Sequence, residues 1–372
     1  MAKTPPSNRT PKRVNLALQG GGSHGAFTWG VLDRILEDDS LEIAAISGAS
    51  AGAMNAVVLA DGWMKGGRSE ARAALTRFWE RVGNAARSSP LQRGPLGKWF
   101  NDWNLDASPA YIYFDMLTRL VSPYDLNPTN INPLRDILHD QVDFDAVRAC
   151  DQIGLHISAT NVETGRVEVF DRHELSAEHV LASACLPTLF QAVEIAGVPY
   201  WDGGYMGNPP LFPLFDHSDS DDVIIVQINP IERAGAPREA RDILNRLNEI
   251  TFNASLLREL RAIDFVTRLL DAGRLEETGY RRVLVHMISH EQALCSFGAS
   301  SKLNAERAFL ELLFDRGREE ADLWLHKHGK SIGKKSSVNL RKLFEGSEDP
   351  LGTERLKRRS AYQKKASRKA AK

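Results

Sequence analysis

Residues 16–33, LALQGGGSHGAFTWGVLD, read as a short apolar strand that runs into three consecutive glycines and then into a helix. Phe27, Val31, Leu32, Ile35 and Leu36 carry helical spacing between Ala26 and Glu37, and a second apolar run, EIAAIS at 42–47, follows. Strand, helix and strand in this order make a β–α–β unit. Glycines at such a junction hold something negative against backbone N–H groups. Gly20 to Gly25 fit G-x-G-x-x-G, the pattern of a dinucleotide site, but that reading also needs an acidic residue about 20 positions on, at the tip of the second strand. The second strand ends instead in SGASAGAMNA, residues 47–56, with no carboxylate. No cofactor is therefore expected, and the negative group is read as a charge that exists only during a reaction.

Gly48-Ala49-Ser50-Ala51-Gly52 fit G-x-S-x-G, the nucleophile-elbow pattern, in which a sharp strand–helix turn pushes a serine hydroxyl out toward substrate. Gly48 and Gly52 keep that strained turn small on both sides. A helix over Ala51–Ala60, closed by Gly62, points its positive dipole end at Ser50. A purely structural turn is the plainer reading of the pentapeptide. Amides around Gly21 and Gly22 are placed to meet the oxygen that becomes negative during acyl transfer. Both loops end parallel strands, so both lie at the carboxyl edge of the sheet, where active sites form.

A serine hydroxyl needs a base. YWDGGYMGNPP, residues 200–210, offers Asp202, which follows the strand-like VEIAGVPYW (193–201). Gly203 and Gly204 beside it let a loop approach another backbone closely. An ordinary Asp-Gly turn is the alternative. His286 and His290, beside the late run RRVLVHMI (281–288), would instead complete a triad in the chain order Ser, Asp, His. An elbow after only the second strand is early for such a hydrolase. No histidine sits in H-E-x-x-H, and the three cysteines (Cys150, Cys185, Cys295) are far apart. Neither a metal site nor a disulfide is expected, and a reducing compartment is the default.

G-G-G-x-x-G, then G-x-S-x-G about 25 residues later, then D-G-G: this ordered set, over roughly residues 14–210, resembles the patatin-like phospholipase family. The resemblance implies a three-layer α/β/α sandwich with a mainly parallel central sheet. It also implies metal-free hydrolysis of acyl esters of phospholipids and related lipids. Ser50 would be the nucleophile, Asp202 the base of a Ser–Asp dyad, and Gly20, Gly21, Gly22, Ser23, His24 and Gly25 the oxyanion loop. The family usually carries Lys or Arg where this chain has His24, so any help from a loop charge is expected to be weaker or pH-dependent. A lipid-binding or membrane-scaffolding protein that keeps the pocket is the competing functional reading.

The rest of the chain fits one α/β domain. Further strands are predicted at IGLHISATNV (153–162), RVEVF (166–170), VIIVQIN (223–229) and RRVLVHMI, with a hairpin about Thr164-Gly165. Helices are predicted over Asn132–Asp140, Ala177–Ala184, Ala240–Ala272 and Leu303–Arg316. Residues 63–125 hold four of the seven tryptophans (Trp63, Trp79, Trp99, Trp103) and read as a mostly helical insertion. Its aromatics are expected to form its own core first, and an acyl pocket or interfacial lid second. The catalytic domain is placed at 13–345, with helices and a late strand at 238–330, between a disordered N-terminus (1–12) and a disordered tail (346–372).

At 42% hydrophobic and 26% charged the composition is that of an ordinary globular protein. The net charge of −1 hides a tail: residues 356–372 carry eight Lys or Arg and no acid, which leaves the remainder at −9. Such a segment is read as solvated, and an anionic membrane is the partner its charge suits, with no nucleic acid expected. No apolar run approaches the roughly 18 residues of a membrane span, and the N-terminus lacks a signal-peptide core. A cytoplasmic protein, peripheral to the membrane at most, is expected. Head group, acyl position and oligomeric state are not written in these residues.

Overall fold

Lys12–Leu18 (β1) and Leu41–Ala49 (β2) lie parallel and adjacent, with Lys12 opposite Leu41 and Leu18 opposite Gly48. Gly25–Glu37 (α1) is the crossover between them. This computed structural model describes residues 10–94, 99, 102–275 and 279–345, with the backbone alone at 292. Most of the expected N-terminal arm (1–9) and the whole basic tail (346–372) lie outside the described residues. β1 begins at Lys12, just before the expected domain start at 13. The reason is that the Lys12 ammonium holds the carbonyls of Gly329 and Ile332 at 3.1 and 2.8 Å.

Six further strands complete the sheet: Gly154–Asn161 (β3), Val167–Asp171 (β4), Val193–Ile195 (β5), Val198–Asp202 (β6), Asp222–Val226 (β7) and Leu284–Ile288 (β8). The order is β5-β6-β3-β2-β1-β7-β8, with β4 also on β3. β3, β2, β1, β7 and β8 are parallel neighbours, and β4, β5 and β6 join antiparallel. The predicted β3–β4 hairpin forms, with Gly165 at φ +64°. VEIAGVPYW is two strands rather than one, because Ala196 and Gly197 both take positive φ and reverse the chain.

Side chains alternate across the sheet, as a strand's period of two requires. Leu16, Leu18, Ile46, Ile224 and Val226 enter one core, shared with α1, Ala51–Ala86 (α2) and Arg307–His328. Ala17, Ala45, Val223, Ile225 and Val285 enter the other, shared with Leu256, Leu260 and Ile263 of Ala240–Asp271. Helices therefore cover both faces, and the fold is the three-layer α/β/α sandwich. Each large aliphatic side chain so buried contributes about 1.5–3 kcal/mol.

Two helices differ from their sequence reading. α2 does not stop at Gly62 but runs on to a break at Gly66 and Gly67, whose φ/ψ are not helical. Its second half turns back on the first: a Cβ on Gly62 would stand 2.6 Å from the Ala71 Cα. That packing carries Phe78 and Trp79 into the core, and the described helices within 63–125 include the rest of α2 and Pro109–Leu120 (α3). The predicted helix at Leu303–Arg316 starts later, at Arg307, and continues to His328. Asn304 ends the preceding 3-10 turn, Ala299–Leu303, by accepting from the Glu306 amide at 3.0 Å and donating to the Trp103 carbonyl at 2.9 Å. Among the described residues no helix is long and apolar enough to cross a membrane.

Candidate active site

Ser50 lies between β2 and α2 at φ 52°, ψ −120°, a strained backbone that a non-glycine residue adopts only when its surroundings enforce it. Here they do. A Cβ on Gly52 would meet the Leu18 carbonyl oxygen at 2.1 Å, and one on Gly48 would meet Gly52 at 2.8 Å. The Ser50 amide donates to Ser183 Oγ at 2.8 Å, and Ser50 O accepts from the Met54 amide at 3.1 Å as the helix begins.

Strand register brings Asp202 to this elbow. β3 sets Ser158 opposite Ala49 on one side and Ala159 opposite Asp202 on the other. Asp202 is fixed at three points, two on its backbone and one on its carboxylate. Its amide donates to Cys185 O at 2.8 Å, its carbonyl accepts from Thr160 Oγ1 at 2.8 Å, and its Oδ1 accepts from the Gly204 amide at 2.7 Å. Gly203 permits this, since a Cβ there would stand 2.1 Å from the Ser158 carbonyl oxygen; a Cβ on Gly204 would strike the Phe252 ring at 2.2 Å. The residue as a whole is 1% exposed. Burial pushes its pKa up to about 6, against the opposing pull of the Gly204 amide, a hydrogen bond from the Ser50 hydroxyl, and the Lys302 charge. A carboxylate so placed is more basic than a solvated one, yet ionised at neutral pH.

The glycine loop presses on the serine. A Cβ on Gly20 would lie 2.6 Å from Ser50 Cβ. The six loop residues are not equivalent. The Gly20 amide is occupied by Asn208 Oδ1 at 2.7 Å, and the His24 and Gly25 amides close turns on loop carbonyls. The amides of Gly21, Gly22 and Ser23 have no partner among the described residues, and all three residues line the cavity above Ser50. They are the free donors.

His24 is turned away from that cavity. Its Nε2 sits 2.8 Å from Ser301 Oγ, and its ring lies against Phe297 and Phe309. Burial, then the nearby Lys302 charge, lowers its pKa to about 3. It is neutral throughout the physiological range, so the expected pH-tunable loop charge does not arise from His24.

The cavity holds about 530 Å³ and is walled by apolar side chains, among them Met54, Phe78, Trp79, Phe114, Leu186 and Phe190. Trp79 is fixed by donating to Asn55 Oδ1 at 3.0 Å. The insertion's aromatics thus split. Phe78 and Trp79 serve core and cavity together, Trp103 packs under the Arg93 guanidinium at 3.8 Å, and Trp99 is exposed. No histidine lines the cavity among the described residues. His286 is fully buried and bonded to Asp222 Oδ1 at 2.8 Å, at the start of β7 and thus the opposite end of the sheet. His290 is bonded to Glu320. Neither is brought to Ser50. Among the described residues no cluster of His, Cys, Asp or Glu could hold a metal ion.

Four contributors escaped the sequence reading. Ser183, Asn208 and Asn229 hold backbone of the elbow or loop: Asn229 Nδ2 donates to Gly20 O at 2.7 Å. Lys302 lines the cavity with its ammonium 2.8 Å from Asn229 Oδ1. Asparagines and a lysine in separate turns carry no pattern that announces them.

Residues 16–215, more than half of the chain, match the family described as Patatin-like phospholipase. Among solved structures the chain is similar to VipD from Legionella pneumophila, at 15% identity and a TM-score of 0.36, over 84% of this chain and 67% of that one. It is also similar to the type III effector protein ExoU, at 15% identity and a TM-score of 0.26, over 82% and 53%. No match was found among curated proteins. The chain belongs to the patatin-like phospholipase family, whose members are lipid acyl hydrolases.

Proposed function

We propose that this protein hydrolyses carboxylic esters of phospholipids or related lipids through a Ser50–Asp202 dyad. The observation that carries this is the buried Asp202 carboxyl within hydrogen-bonding reach of Ser50, at the floor of an apolar cavity with no histidine in its lining among the described residues. As Ser50 Oγ bonds to the ester carbonyl carbon, its proton passes to Asp202 and the carbonyl π pair moves onto oxygen. The Gly21 and Gly22 amides meet that oxyanion. Expulsion of the alcohol, which takes the proton from Asp202, leaves an acyl-enzyme, and water attacks it by the same route. The acyl chain occupies the apolar cavity, where burying each CH₂ contributes about 0.8 kcal/mol.

The test is fatty-acid release from phosphatidylcholine vesicles, with labelling by a fluorophosphonate. The wild-type protein releases fatty acid and is labelled, and Ser50→Ala does neither. Lipid bound without turnover or labelling would show a binding protein instead.

A further inference from the structure

Lys302 is outside the span matched to the family and is nearly 280 residues from the glycine loop in sequence, yet it is built against that loop. Gly22, at φ +59°, is bare because a Cβ there would stand 2.4 Å from the Lys302 carbonyl oxygen. The adjacent Ser301 Oγ donates to Gly298 O at 2.7 Å and is hydrogen-bonded to His24 Nε2 at 2.8 Å. The turn is anchored in its own right, since the Gly298 amide donates to Asn104 Oδ1 at 2.6 Å. Loop and turn are therefore one unit.

Out of this unit the Lys302 side chain reaches Asn229. Its Nζ donates to Asn229 Oδ1 at 2.8 Å, and Asn229 Nδ2 donates to the Gly20 carbonyl at 2.7 Å. That carbonyl belongs to the same peptide unit as the Gly21 N–H, one of the free donors. Charge on Lys302 thus pulls electron density through an amide side chain toward itself, and the far end of the relay is an N–H facing the cavity. Hydrogen bonds in series polarise one another, most strongly away from water.

The charge is not cancelled on the spot. Glu249 is taken by Arg233 at 2.7 Å and by Arg246 at 3.0 Å, and no carboxylate lies within 4.0 Å of Lys302 Nζ among the described residues. The Phe252 ring lies 5.6 Å from the ammonium. We propose that Lys302 is the positioning residue of the oxyanion site: through Asn229 it orients and polarises the Gly20–Gly21 peptide and supplies the positive charge that His24 does not. It transfers no proton. It stays an ammonium while the serine proton goes to Asp202, and its effect is on the stability of the oxyanion.

The groups facing Lys302 set when that charge is present. Burial lowers its pKa to about 8, Glu249 and Asp202 oppose the shift, and Arg233 adds to it; His24 is neutral. The charge is lost as pH rises through about 8.

This inference rests on the Ser50–Asp202 reading, which the Ser50→Ala control tests separately: if wild type and Ser50→Ala hydrolyse alike, that reading fails before Lys302 is reached. The probe is p-nitrophenyl butyrate, an uncharged soluble ester with no head group, with kcat and KM measured from pH 5 to 10. Lys302→Met lowers kcat about 10- to 100-fold with KM within about threefold, a part of what deleting a whole oxyanion donor removes. Lys302→Arg keeps most of the activity, and the wild-type fall in kcat above pH 8 moves to higher pH. If Lys302→Met does not fold, the Lys302→Arg profile still decides. A Lys302→Met kcat within threefold of wild type, a loss confined to KM, or a Lys302→Arg profile that superimposes on wild type each overturns the proposal. A Lys302→Met defect seen only with phospholipid overturns it in favour of a head-group site.

Discussion

Gly20 and Ser50 are packed with no room for one more carbon: a Cβ on Gly20 would stand 2.6 Å from Ser50 Cβ and 2.9 Å from the Ala49 carbonyl oxygen. Strand β1 thus delivers its glycine loop directly against the elbow of β2. Gly20→Ala must displace one or the other. Overpacking of this kind costs about 1–3 kcal/mol, and the shifted loop no longer aims Gly21 at the reacting oxygen. The variant melts lower and reacts with a fluorophosphonate at least about tenfold more slowly. Wild-type labelling rates would contradict the packing.

Asp202 should make the protein less stable for the sake of its chemistry. Its folded-state pKa is raised to about 6 from 3.8. Below pH 3.8 both folded and unfolded states hold the proton, and no difference arises. Between the two values the unfolded state ionises first, so stability falls as pH rises, and above about 6 the whole penalty is present. Two units correspond to a penalty on the order of 3 kcal/mol. Asp202→Asn, which keeps the acceptor for the Gly204 amide, should melt higher than wild type at pH 8 and lose that advantage toward pH 4. Thermal melts across this range check it. A variant less stable than wild type at pH 8 would count against the buried charge.

On the dyad reading, the acid limb of activity is set by Asp202 and not by His24. kcat/KM should rise with pH through about 6 as the carboxyl ionises, and His24→Asn should leave that midpoint in place. His24→Arg would set a second cation near Lys302 in a buried site, so its main effect is a lower melting temperature, roughly 2 kcal/mol or more. A midpoint that moves with residue 24 while the fold is intact would return the titrating charge to the loop.

His286 and His290 contribute to structure. His286→Ala leaves the buried Asp222 without its side-chain partner, though Asp222 still accepts from the Gly333 amide. Stability should drop by about 1–3 kcal/mol while activity per folded molecule stays within about tenfold. His290→Ala should be milder on both counts. A well-folded but inactive His286 variant would revive the triad.

How far the sequence reached follows from what is local. The glycine loop, the elbow, β1, α1 and β2 are encoded within some 40 consecutive residues, and their pattern was legible down to single positions. Asp202 was legible as a glycine-flanked carboxylate, although the register that carries it to Ser50 passes through β3, which no local pattern fixes. The reversal at Ala196-Gly197 was hidden because VEIAGVPYW is apolar on both sides of its turn. The break in α2 was missed because Gly62, read as a helix end, is a packing position against Ala71. His24 read as a titrating loop charge because sequence shows a residue type and not its burial. Lys302, Asn208 and Asn229 were illegible for a simpler reason: each acts through long-range hydrogen bonds, and a lone polar residue in a turn has no period.

The most direct measurement is kcat/KM for p-nitrophenyl butyrate in one series: wild type, Ser50→Ala, Asp202→Asn and the double variant, each verified as folded. A serine without its base is a poor nucleophile, and a base without its serine has nothing to activate. Each single variant should lose at least about a thousandfold, and the double variant should be no worse than either, because residues acting as one unit do not add. Asp202→Asn within tenfold of wild type, or a double variant whose loss is the product of the two, would contradict the dyad.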